Sequence, residues 1–71
     1  MKTFEIGATY KALYKGDHTL YDLWTVIKRT ASTITVTDGT TTKTCRIIKE
    51  LSEMNGAEHI RPIKGAGYVH A

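Results

Sequence analysis

The chain has 71 residues, a formal net charge of +3, one proline and one cysteine. That length allows one small domain, expected to span 1–71, and a domain of this size hides only about 60% of the surface its unfolded chain exposes. The lone Cys45 excludes an intramolecular disulfide. No run approaches the roughly 18 apolar residues of a membrane span and no signal peptide opens the chain, so the expectation is a cytoplasmic protein held by apolar packing.

Phe4 and Ile6 alternate with Glu5, Gly7 permits a sharp bend, and Thr9 to Leu13 reads as a strand. Gly16-Asp17-His18 reads as a loop. Leu20 to Arg29 is the longest strand candidate: Trp24 and Val26 point to one face, and Leu23, Thr25, Ile27 and Arg29 to the other. A turn at Arg29-Thr30-Ala31 leads into Ser32 to Thr37, where β-branched residues dominate with period two. Asp38-Gly39 signals the next turn, and Lys43 to Ile48 returns as a strand.

Pairing Val26 with Ile34 also pairs Trp24 with Val36. Pairing Ile34 with Cys45 leaves the loop Asp38 to Thr41 and sets Ile47 opposite Ser32. One face then collects Trp24, Val26, Ile34, Val36, Cys45 and Ile47 as the expected core, a set that a one-residue slip would scatter.

Residues 47–56 admit two readings. Ile47, Leu51 and Met54 fit a helical stripe ending at Gly56, whereas Asn55-Gly56 is a strong hairpin signal that sets Leu51 against Ile60 and Glu50 against Arg61. The hairpin is the favoured reading, although it sets Glu53 against Glu58. Pro62 ends its second arm, Lys64 to Gly67 forms a connection, and Tyr68-Val69-His70 returns as a short edge strand. With no repeat or low-complexity linker, the pattern predicts an all-β fold. It is a small, strongly bent antiparallel sheet or a five- to six-stranded SH3-like barrel.

Chemistry-bearing residues are sparse. Cys45 alternates inward beside Ile47, where a small buried hydrophobe is its ordinary role, and no nucleophile motif surrounds it. His18, His59 and His70 lack the spacing that presents metal ligands together, and the carboxylates are dispersed. Gly65-Ala66-Gly67 precedes no helix that would make it a phosphate cradle. No catalytic, cofactor or metal residue is expected.

The face opposite the core is more informative. Thr25, Arg29, Thr33, Thr35, Thr44 and Arg46 share it, with Lys28 at the turn, and Leu23, Ile27 and Ile48 fall on the same side. Such a face is an ordinary solvated one unless a partner covers it. The pI near 9.2 permits nucleic-acid contact without requiring it. Candidate phosphate contacts are Lys28, Arg29 and Arg46, with Tyr10, Tyr14, Tyr21 and Tyr68 as candidate stacking platforms.

The series Phe4-x-x-Gly7-x-x-Tyr10, Thr25 to Ala31, Ile34-Thr35-Val36, Cys45-Arg46-Ile47 and Asn55 to Pro62 resembles a group of short bacterial proteins without an assigned activity. These are frequent in gut Firmicutes and their mobile elements. The resemblance implies a strand and tight turn at Val26 to Ala31 and the outgoing arm of a hairpin ending at Pro62. The group's closing Tyr-Ser-x-x-Pro pattern is missing from Gly67 to Ala71, and no functional residue carries over. The first expectation is therefore a non-enzymatic module that recruits a protein partner or self-associates, and the second a nucleic-acid module using the basic Thr/Arg face.

Overall fold

The computed structural model describes residues 1–14, 17–62 and 67–71, with the backbone alone at 13, 14 and 17–20. Alternating, β-branched segments become strands: β1 (Thr9–Tyr14), β2 (Asp17–Arg29), β3 (Thr33–Thr37) and β4 (Thr42–Arg46). They form an antiparallel sheet in sequence order. A short helix α1 (Lys49–Asn55) follows, then β5 (His59–Ile60) and β6 (Val69–His70), which pair with each other. The protein is mostly β, as its periodicity predicts. Among the described residues its two sheets do not join into a closed barrel, although β6 packs against β1.

Trp24, Val26, Ile34 and Val36 are each no more than 1% exposed, and they pack with Phe4, Ala12, Ile60 and Val69. Cys45 and Ile47 sit at the margin of this cluster, half-buried. Fully burying a side chain such as Val26, Ile34 or Phe4 contributes on the order of 1.5–3 kcal/mol. The Trp24 Nε1–H finds no hydrogen-bond partner among the described residues. Such an unmet donor costs about 1–3 kcal/mol, which the large apolar surface of the ring offsets.

The strand pairings correct two expectations. Between β3 and β4 the expected register is found: Ile34 opposes Cys45, and the Ile47 N–H bonds the Ser32 carbonyl. Between β2 and β3, Val26 opposes Val36 rather than Ile34. That difference is two residues, so every side chain up to Val26 keeps its face and the predicted core survives. The turn also moves, from Arg29–Ala31 to Thr30–Ser32. There the Thr30 hydroxyl accepts the Ser32 and Thr33 N–H groups at 3.3 and 3.0 Å.

A β-bulge then follows between Val26 and Lys28, after which Lys28 opposes Thr35 and Arg29 opposes Ile34. One extra residue reverses the alternation. Arg29, expected on the outer face, therefore points to the core side.

At the ends of the sheet, β2 begins at Asp17, so Asp17 and His18, expected in a loop, belong to a strand; Gly16 lies outside the described residues. Ile6 was expected to share Phe4's face, but it sits in a turn closed by the Ala8 N–H to Glu5 carbonyl bond and is 64% exposed. Lys64 to Ala66 of the expected connection also lie outside the described residues.

The favoured hairpin about Asn55-Gly56 is replaced by the helix. Gly56, in the left-handed region at φ 68°, closes α1 as the stripe reading required. The residues after it do not fold back onto Glu53. Instead Lys2 bridges Ala57 in parallel, donating to the Gly56 carbonyl and accepting the Glu58 N–H. Ser52, buried in α1, donates to the Ile48 carbonyl at 2.8 Å and accepts the His59 N–H at 2.9 Å, fixing β5 against the helix. The hairpin reading missed this because its competitor is an N-terminal residue more than fifty positions away.

That arrangement delivers Glu58 to Arg29. Glu58 Oε1 accepts Arg29 Nη1 at 2.8 Å and the Phe4 N–H at 2.7 Å, and Oε2 accepts Arg29 Nη2 at 3.0 Å. Arg29 Nη1 also donates to the Phe4 carbonyl at 2.7 Å, and the Glu58 carbonyl accepts the Ala71 N–H at 2.9 Å. The two side chains are 24% and 8% exposed. The Arg29 hydrogen bond, aided by the Phe4 N–H, holds the Glu58 carboxyl below its ordinary 4.5 against the opposing effect of burial.

A depressed carboxylate contributes stability that is complete above its unfolded value and lost as pH falls through its folded one. Glu58→Gln should therefore cost about 3 kcal/mol at pH 7, where it leaves Arg29 without its counter-charge. Denaturant titrations should show that difference shrinking below pH 4.5 as the wild-type carboxylate protonates. A difference independent of pH would contradict the charged pair.

Candidate interaction surface

The outer face of the four-stranded sheet follows from the pairings. Thr9, Lys11, Leu23, Thr25, Thr33, Thr35, Thr37, Thr42, Thr44 and Arg46 share it by register, and Tyr21 and Lys28 lie on the same side. Threonine hydroxyls link neighbouring strands: Thr9 to Thr25 at 2.8 Å and Thr35 to Thr44 at 3.1 Å. These pairs suit a solvated pleated surface. The exposures of Leu23, Tyr21 and Ile27, 50%, 49% and 48%, leave an apolar strip along β2.

Charge on this face has one sign. Lys11, Lys28 and Arg46 lie on it, and no carboxylate does among the described side chains. Lys11 Nζ stands 4.4 Å from the centre of the Tyr21 ring, a cation–π contact.

Of the three residues singled out from sequence, Lys28 and Arg46 flank β3 on this face, opposite Thr35 and Thr33. Arg29 does not join them. Its guanidinium is taken up by Glu58 and Phe4, and the β-bulge that turned it inward leaves no trace in a period-two pattern.

Among the described tyrosine side chains, Tyr21 and Tyr68 are exposed. Tyr68 lies under the Arg61 guanidinium at 5.4 Å, and Tyr21 under Lys11. Tyr10 belongs to the interior: it packs edge-on to Phe4 at 4.8 Å, and its hydroxyl accepts the Glu5 N–H. The Tyr14 side chain lies outside the described set.

Beside the sheet, a groove of about 430 Å³ runs along β4, lined by Lys43 to Arg46, Ile48, Arg61 and Pro62. Its lining includes the three cations Lys43, Arg46 and Arg61, none paired with a described carboxylate. Sequence reading missed Arg61 as their companion, because it had been assigned to Glu50 across a hairpin that does not form.

His59 and His70 face each other across β5 and β6 with ring centres 5.5 Å apart. Their eleven-residue separation hid that neighbourhood. No group of three or more metal-binding side chains occurs among the described residues, nor does any helix long and apolar enough to cross a membrane. No family model, curated protein or solved structure matches the chain, so the surface is read from its chemistry alone.

Burial pushes the Cys45 thiol up, with a smaller opposing effect from Lys43. A thiol so placed is predominantly protonated at neutral pH and a poor nucleophile. Its reaction with an aromatic disulfide reagent at pH 7.5 should be at least about tenfold slower in the folded chain than in denaturant. Equal rates would show an activated or fully open thiol.

Proposed function

We propose that the protein is a non-enzymatic binding module, cytoplasmic in keeping with its single cysteine, that recruits a protein partner through the outer face of its sheet. The observation that carries this reading is the strip of Tyr21, Leu23 and Ile27, half-exposed and bordered by Lys11, Lys28 and Arg46 with no described carboxylate among them. An apolar strip inside a polar, charged rim has the anatomy of a protein interface, with aromatic and aliphatic anchors at its centre. Like charge on the rim favours an acidic partner over a second copy of the same face. A meander of four strands, a short helix and a closing strand pair around one core supports an open form of the SH3-like barrel as the scaffold.

Nucleic acid is the second reading, favoured by Lys28 and Arg46 beside exposed Tyr21. The two readings differ in what they ask of the surface. Phosphate binding needs the cations and falls steeply with salt. Protein recruitment needs the apolar strip.

The doubly substituted Leu23→Glu, Ile27→Glu chain should keep wild-type stability within about 0.5 kcal/mol, since both positions are half in solvent. It should lose whatever protein the wild type retains from a bacterial lysate at moderate salt. Titration with single- and double-stranded DNA and RNA runs in parallel. Retention unaffected by the two glutamates, or salt-sensitive nucleic-acid binding that Lys28→Glu and Arg46→Glu abolish, would sink the protein reading.

A further inference from the structure

The outward edge of β4 offers a second element of recognition. In an antiparallel ladder, alternate residues of an edge strand turn their backbone groups toward the neighbour, and those between turn them outward. The Ile47 N–H bonds Ser32 and the Thr41 carbonyl accepts the Asp38 N–H, so the odd-numbered residues of this strand face β3. The N–H and C=O groups of Thr42, Thr44 and Arg46 therefore point away from the sheet. No described residue bonds them.

Just beyond, Ile48 donates outward to the His59 carbonyl, so β5 occupies this edge at one point. Pro62, with no N–H to offer, then lines the groove. This backbone row, which no described residue bonds, and the groove of Lys43, Arg46 and Arg61 coincide.

We propose that this edge accepts an extended acidic segment of a partner protein as an added strand. Its backbone would bond Thr42, Thr44 and Arg46, and its carboxylates would meet Lys43, Arg46 and Arg61. The proposal rests on the protein-binding reading above and gives that partner its chemistry.

Two arguments select this occupant. A second copy adding β4 to β4 would bring the cations of one groove against those of the other, and like charges facing across a strand pair are destabilising. A nucleic acid satisfies the cations but offers no regular alternation of donors and acceptors, whereas an extended peptide matches both. Exposed Lys43 and Arg46 lie on opposite faces of β4, so carboxylates at successive positions of an added strand each find a cation.

The test uses the full chain, labelled for amide NMR, and a capped peptide of Glu, Thr and Val. The comparison ligands are its Lys-for-Glu counterpart, the same peptide N-methylated at alternate amides, and single-stranded DNA of equal charge. The expected result is saturable binding of the acidic peptide, with the largest amide shifts and exchange protection at Thr42, Thr44 and Arg46. The Lys peptide should fail, and N-methylation should weaken binding at least about tenfold, since it removes the donors that a sheet edge reads.

In the protein, Thr44→Pro removes an N–H that no ladder bond uses, and it should weaken binding by a similar factor. Arg46→Glu should do so through charge. The N-methylated peptide leaves the protein untouched, so it decides the matter even if a variant misfolds. Equal affinity for the methylated peptide, tighter binding of the DNA, no binding of the acidic peptide, or a dimer abolished by Thr44→Pro would each overturn strand addition. Loss of the lysate partner in the Leu23→Glu, Ile27→Glu chain reports separately on the outer face, so failure of strand addition is told apart from failure of the protein-binding reading.

Discussion

The fold hangs on one carboxylate. Glu58 gathers the Phe4 N–H and the Arg29 guanidinium on its side chain, while its backbone holds Lys2 and Ala71. It thereby ties both described ends of the chain to the far end of β2. A domain this small cannot rely on apolar area alone, and a partly buried ion pair with both carboxylate oxygens engaged supplies a directional constraint that packing lacks. The bulge between Val26 and Lys28 makes it accessible, because only a reversal of alternation turns Arg29 toward the interior. Removing Arg29 leaves the buried Glu58 carboxylate without its counter-charge, and removing Glu58 leaves the half-buried Arg29 without its own, so the pair ties the chain ends to the sheet.

Much of the sheet was legible in the residues. Alternation placed Trp24, Val26, Ile34 and Val36 inside, and Asp38-Gly39 marked a turn where the Asp38 carboxylate accepts the Thr40 and Thr41 N–H groups. Even the wrong pairing of Val26 did no harm, because an error of two residues preserves both faces. What stayed hidden depends on distant residues or on an irregularity. Asn55-Gly56 carries a local hairpin signal, but the residues beyond it are claimed by Lys2, and Ser52 reaches His59 only from a helix. The bulge that redirected Arg29 has no glycine or proline to announce it. The candidate site divides the same way: Lys28 and Arg46 came from local periodicity, while Arg61 joined the groove only through tertiary placement.

This division shapes the surface. Turning Arg29 inward removes one cation from the outer face, yet the carboxylate it neutralises is withdrawn as well, so the face keeps its positive sign. The apolar strip on β2 and the outward edge of β4 lie at opposite sides of β3, and Arg46 belongs both to the face and to the groove. A partner that lays an acidic segment along β4 would thus be led by charge toward the strip, with hydrophobic contact and backbone pairing acting on different parts of one ligand.

The central claim is that Arg29 and Glu58 act as a unit, and a double-mutant cycle measures it. Arg29→Met, Glu58→Leu and their combination are compared by equilibrium unfolding at neutral pH. The account predicts that each single substitution destabilises strongly while the double costs much less than their sum, a coupling of about 2 kcal/mol or more. Losses that add within about 0.5 kcal/mol would show that the two side chains act apart, and would contradict it.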